Sequence, residues 1–240
     1  MQQQTEHYFL TFHPLCETAT GRIAVLEHSE PPFIDGSCRR EPDLQSNPPT
    51  FSELCRPNRG PKFDVGTRVV YATIKNPISG SRGWGLVAVL EVIKVCKNHE
   101  EAAKWFREEG LRVPSNCIVE GNDPKPLHLT TGLPADNGNP QQNWSQGGPP
   151  PRTLNEWDAH YQYRAEKYPR FAVCKHLEPP RLHDAPFHNT ALKRCFEKGE
   201  VPLTRFRAAK ISSAEFAKVR ALMRGTLPCM SSDDLGRIPP

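Results

Sequence analysis

The chain has 240 residues, 37% of them hydrophobic, with 25 Pro and 16 Gly. That length allows one large or two small domains, and the Pro and Gly content commits many residues to irregular connections. Lys and Arg exceed Asp and Glu by 31 − 27 = 4, which permits nucleic-acid binding without demanding it; no apolar run approaches the roughly 18 residues of a membrane span.

The start, MQQQTEHYFLTFHPL, has neither a basic n-region nor a long apolar h-region, so no secretory leader is expected. Eight cysteines stand at 16, 38, 55, 96, 117, 174, 195 and 229, none in a C-x-x-C pair. Scattered cysteines without a leader point to reduced thiols, buried as small hydrophobes, and to a cytoplasmic protein.

In chain order, His7–His13 and Arg22–His28 read as short strands around a turn near Thr20–Gly21. Pro31–Lys62 is too rich in Pro, Gly, Asn and Ser for continuous structure, with one helical turn expected at Thr50–Leu54. The strongest pattern follows. A Gly-containing turn at Asp64–Thr67 leads into a strand, Arg68–Ile74, then a Pro/Gly/Ser loop and a long strand, Trp84–Val95. Trp84, Leu86, Ala88, Leu90 and Val92 alternate onto one face and Val87, Val89, Ile93 and Val95 onto the other. A strand apolar on both faces belongs at the centre of a sheet or in a small barrel.

Asn98–Gly110 reads as a helix capped by Asn98, with Glu101 at the capping-box position and Gly110 at its end. A strand is expected at Asn116–Glu120. Gly121–Arg152 is a long irregular excursion, the kind of segment that serves as a lid, linker or contact surface. Thr153 and Glu156 cap a second helix that runs to Pro169. Phe171–His176 reads as a strand, Asn189–Lys198 as a helix and Phe206–Ile211 as a strand. A last helix starts at Ser212, with Glu215 three residues on, and ends at Gly225. The expected fold is α+β: a mixed, mostly antiparallel, partly closed barrel with peripheral helices. Residues 5–225 form one domain, 121–152 its excursion, and 226–240 a frayed tail.

Two groups of residues invite chemistry. Arg39 and Arg40 lie on the Asp35–Glu41 loop, with Arg56 nearby in sequence; their guanidinium forks suit phosphate oxygens or base edges. Tyr71, Thr73, Lys75, Asn76 and Trp84 sit at the strand ends, where an aromatic ring can stack on an unpaired base and polar groups can read its edge. For zinc, Cys174–His176 is too tight for the usual ligand spacing, so no metal or cofactor is expected. Neither a P-loop nor a strand-borne G-x-G-x-x-G occurs, which argues against nucleotide hydrolysis and dinucleotide redox chemistry.

The Gly-turn, strand, loop and Trp-bearing strand, with a capped helix after them, resemble the PUA-like group of small barrels, which includes the ASCH and EVE domains. Within it, GSCRREP (Gly36–Pro42), LCRPN (Leu54–Asn58) and GTRVVYATI (Gly66–Ile74) look most like the nucleotide-modification-associated domains of bacterial and phage genomes. The resemblance covers roughly residues 7–120. It implies a non-catalytic domain that binds DNA or RNA, recognising a modified nucleobase in a pocket on the barrel. Arg39, Arg40 and Arg56 would then contact phosphate or a base edge, Tyr71 or Trp84 would stack, and Thr73 or Asn76 would read polar atoms. Some ASCH proteins resemble amidohydrolases of acylated nucleobases, a rival reading in which Thr73, Lys75 and Glu91 would be the working groups. A third reading is a protein-interaction module using 121–152.

Overall fold

The computed structural model describes residues 5–54, 63–78, 80–125, 127–128, 133–134, 153–202 and 208–225. It is an α+β fold on a mixed, mostly antiparallel seven-stranded sheet. β1 (His7–Phe12) is followed by a 3₁₀ turn at Leu15–Glu17 and by α1 (Ala19–His28). β2 (Thr50–Ser52), β3 (Arg68–Thr73), β4 (Trp84–Cys96) and α2 (His99–Glu108) come next, then a two-residue hairpin pair, β5 (Leu127–His128) and β6 (Leu133–Pro134). α3 (Leu154–Lys167), β7 (Phe171–His176), β8 (Phe187–His188), α4 (Thr190–Lys193), β9 (Ala209–Ile211) and α5 (Ser213–Arg224) complete it.

The sheet runs β2-β7-β4-β3-β1-β9, with β8 pairing the start of β4. It is open, which corrects the barrel expected from the sequence. The two edge strands, β2 and β9, are three residues each and sit at opposite ends of the order. β1 lies parallel to β3, so the early chain crosses over rather than forming successive hairpins.

The β3–β4 hairpin is as the sequence implies, and its residues make both halves of the core. β4 is apolar on both faces, but its alternation is broken where the register slips between Tyr71 and Ala72 of the partner strand. Leu86 therefore joins Val89, Phe9, Val70 and Ala72 under α5. Val87, Ala88, Leu90 and Val92 join Leu10, Phe12, Val69 and Tyr71 on the other face.

The three helices whose caps can be read from the sequence form where expected. Thr153 with Glu156 and Ser212 with Glu215 each make a reciprocal capping box. Asn98 accepts from the Glu101 N–H at 2.8 Å, while the Glu101 carboxylate takes the N–H of Lys97.

Local patterns mislead in four places. Arg22–His28 is helical: Ile23 and Val25 alternate as in a strand, but the Thr18 hydroxyl accepts the Gly21 N–H and starts α1. Thr50–Ser52 is a strand because it pairs with Val173–Phe171, more than 100 residues away. Asn116–Glu120 forms turns; its polar groups bond to side chains, Asn116 to Thr50 and Glu41 and the Ile118 N–H to His99. The Asn189–Lys198 helix stops at Lys193 and continues as tight turns, Cys195 N–H to Leu192 and Phe196 N–H to Lys193. The last strand is Ala209–Ile211, with 206–207 outside the described residues.

The hairpin end is pinned by Gly83. Its φ is +100°, and a Cβ there would stand 1.9 Å from the His188 carbonyl oxygen. Gly83→Ala should cost about 1–3 kcal/mol in backbone strain alone, plus the displaced β8. A lowered thermal midpoint checks this, whereas an unchanged one would mean that β8 is not held there.

Among the described residues, six cysteines are free and buried, and no helix is long and apolar enough to cross a membrane.

Candidate functional site

Arg39 leaves the Asp35–Glu41 loop pointing inward, where it is only 2% exposed. An isolated guanidinium at that depth would be untenable, and Asp158 on α3 supplies its partner. Arg39 Nε donates to Asp158 Oδ1 at 2.5 Å and Nη2 to Oδ2 at 2.9 Å, a two-point fork. Nη1 donates to the Asn122 carbonyl at 2.7 Å. Gln162, one turn along α3, donates to Asp158 Oδ2 at 2.9 Å. These bonds tie the loop, α3 and the 116–124 segment into one unit.

The ion pair forms part of the wall of a cleft of about 760 Å³ between the start of α2, the 118–124 segment and α3. Asp158, Gln162 and Glu166 line it as a stripe spaced by four along α3. His99, 2% exposed, stands in the opposite wall, its ring edge-on to Phe171 with the ring centroids 5.1 Å apart. Its Nδ1 accepts the Ile118 N–H at 3.1 Å, so the neutral ring carries its proton on Nε2, a buried donor with no hydrogen-bond partner. Burial, then the charge of Arg39, pushes the His99 pKa down to about 4. The imidazole is therefore neutral at pH 7 and serves as a donor rather than a cation.

The lining carries five carboxylates (Glu100, Glu120, Asp123, Asp158, Glu166) against two cations, Arg39 and Lys97. Such a cleft repels phosphate. Its size suits a small ligand, and its acceptors suit exocyclic amino groups, which carboxylate and amide side chains read on base edges.

Beneath Arg39, a second set of polar side chains shapes the loop. Glu41 is buried and takes the Ser52 N–H at 2.7 Å, the Ser52 hydroxyl at 3.1 Å and the Asn116 amide at 2.7 Å. Asp35 Oδ1 accepts the N–H groups of Ser37 and Glu41. Burial dominates both, raising the Asp35 pKa and bringing Glu41 to about 8.

The other residues singled out from the sequence lie elsewhere. Arg40 is buried with φ +50°, bonded to the Ser37 carbonyl and 3.7 Å from Glu30. Tyr71 packs in the core against Phe12 and Phe51. Thr73 is fully buried; its hydroxyl donates to the Ile74 carbonyl and accepts the Gly85 N–H at 2.8 Å. Asn76 caps the loop by accepting the Gly83 N–H, and Lys75 Nζ lies 5.6 Å from the half-buried Trp84 ring. Thr73, Lys75, Asn76 and Trp84 thus gather at the hairpin end, and none of them lines the cleft. Glu91 sits opposite Arg68, five residues along β3 from Thr73 and so about 16 Å away; the hydrolase trio is not assembled. Arg56 lies outside the described residues, as does most of 121–152.

Reading the sequence for cationic loops passed over His99, Asn122, Asp158 and Gln162. The i, i+4, i+8 polar stripe on a well-capped helix was the signal that could have found two of them. Comparison with models of protein families, with curated proteins and with solved structures gave no match for this chain.

Proposed function

We propose that this chain is a non-catalytic cytoplasmic domain that recognises a nucleobase, including a modified one, in DNA or RNA. The observation that carries the reading is the Arg39–Asp158 fork in the wall of the cleft, with the Gln162–Glu166 stripe beside it. The fork holds a plane of acceptors and donors with little freedom left to lose on binding, the arrangement that gives base-edge contacts their discrimination. Asp158 and Gln162 would accept from the exocyclic amino group, while the apolar Ile118 and Ala165 flank the ring. Arg39 here positions Asp158 and does not contact phosphate. The resemblance to nucleotide-modification-associated domains supports the same reading, through Gly36–Pro42, the loop that carries Arg39.

Equilibrium dialysis of the full chain against unmodified and base-modified nucleosides tests it. One nucleoside class should bind in preference, and Gln162→Ala should weaken that class by about tenfold, the worth of one hydrogen bond of roughly 1–1.5 kcal/mol. Equal, feeble binding of every nucleoside, or full affinity in Gln162→Ala, would remove the assignment.

A further inference from the structure

We infer that the groove between the start of β1, β3 and α5 binds the phosphodiester backbone of a nucleic-acid strand. The inference rests on the nucleic-acid reading above and adds a second site, at the other end of the sheet from the cleft. The groove is about 530 Å³ and is lined by His7, Arg68, Ser213, Phe216, Arg220 and Arg224.

Strand register builds one wall. His7, Arg68, Glu91 and Lys175 are directly paired in turn across β1, β3, β4 and β7, forming a row on one face. Glu91 accepts from Arg68 Nε at 2.8 Å and lies 2.7 Å from Lys175 Nζ. The other wall is α5, where Arg220 and Arg224, one turn apart, share the carboxylate of Glu178. Glu178 is held below the usual carboxylate range, chiefly by the bond from Arg224.

Each carboxylate therefore serves two cations, and each triad keeps one positive charge over. The guanidinium groups are not spent. The side chain of Arg68 is 35% exposed and that of Arg224 48%, and each fork has donors beyond those its carboxylate takes. Phe216 steadies the arrangement, stacked on His7 at 4.5 Å and 5.9 Å from the Arg68 guanidinium carbon. His7, 5% exposed, meets the Ser213 hydroxyl through Nε2, while its Nδ1 has no hydrogen-bond partner. The charge balance is the reverse of the cleft's. A base can enter the acidic cleft while phosphates farther along the same strand are drawn to the groove.

The experiment is fluorescence anisotropy of the full chain with a labelled single-stranded oligonucleotide over a range of salt concentrations. Wild type is compared with Arg68→Gln and with the triple variant Glu178→Gln/Arg220→Gln/Arg224→Gln, in which no unpaired carboxylate is left behind. The slope of log affinity against log salt should flatten by about 0.7 for each phosphate that is no longer neutralised, so by about 0.7 in each variant, since each removes the one positive charge its triad has left over. Nucleoside binding by dialysis should be unchanged in both. An unchanged slope in both variants, or no strand binding by wild type, overturns the groove. So does full displacement of the strand by inorganic phosphate at equal concentration, which would make this a free-phosphate site. A flattened slope without any nucleoside preference keeps the groove and removes the base-reading cleft; the converse keeps the cleft alone. The Arg68→Gln change is mild enough to stand if the triple variant does not fold.

Discussion

Asp158→Ala should destabilise the protein by about 3–5 kcal/mol, the cost of leaving one member of a buried ion pair uncompensated. The Arg39 side chain is only 3% exposed, so its guanidinium would lose its counter-ion without gaining water. The damage should spread beyond the pair. Arg39 also holds the Asn122 carbonyl, and Asp158 receives the Gln162 amide, so the loop, α3 and the cleft wall would loosen together. Replacing both partners by apolar residues of similar bulk, Arg39→Met with Asp158→Leu, should recover most of the stability, because the desolvation penalty disappears along with the attraction. It should not recover ligand binding. Urea unfolding of the single and double variants checks the first claim and nucleoside dialysis the second. A loss below about 1 kcal/mol in Asp158→Ala would place the pair among exposed ion pairs and contradict its burial.

The second large effect is a dependence of stability on pH through Glu41. Burial raises its folded pKa to about 8, well above the ordinary carboxylate value of 4.5. Between those two values the folded state holds a proton that the unfolded state has released, so stability is greatest at low pH and falls as pH rises. His99 and His160 act in the opposite sense. Burial lowers both to about 4, so their contribution is lost as pH falls from about 6.5 to about 4. Above about pH 7 the histidines are mostly neutral in both states, and the fall comes from buried carboxyls, Glu41 and Asp35, of which Glu41→Gln removes the first. From pH 6.5 to 8 wild type should lose up to about 2 kcal/mol through Glu41, at roughly 1.4 kcal/mol per pH unit for one proton. Glu41→Gln, which cannot ionise, should lack that part of the fall, whatever its stability at a single pH. Parallel slopes for the two proteins would mean that Glu41 is already ionised in the folded state, held by the Ser52 and Asn116 donors. Because Glu41 ties β2 and the Asn116 turn to the loop carrying Arg39, a loosened loop at high pH should also weaken ligand binding.

Elements whose partners lie close in sequence could be read without the fold. The β3–β4 hairpin announces itself by β-branched alternation around a Gly/Ser turn, and α3 and α5 by capping boxes within a single turn. Periodicity and capping are local physics, settled by residues three or four apart. The polar stripe at Asp158, Gln162 and Glu166 belongs to the same class, and attention to carboxylates as well as arginines would have found it. Other features depend on long-range pairing. Phe51 is a strand residue only because Ala172 lies opposite. The sheet stays open because β2 and β9 end up at its far edges, which no local pattern dictates.

The role of Arg39 was decided the same way. On the chain it is one of two adjacent arginines in a Gly-containing loop, and a solvent-facing fork for phosphate is the natural reading. A carboxylate 119 residues away turns it inward as one half of a buried ion pair. The groove's charge depends even more on folding: Arg68, Glu91 and Lys175 form a row only through strand register, and Glu178 meets Arg220 only once α5 has packed on the sheet. Sequence by itself determined which segments are strands and helices wherever the signal is periodic and local. Which charges are neutralised, and so which surface is acidic and which basic, was decided by tertiary structure, because a charge's environment is set by the neighbours that folding brings to it.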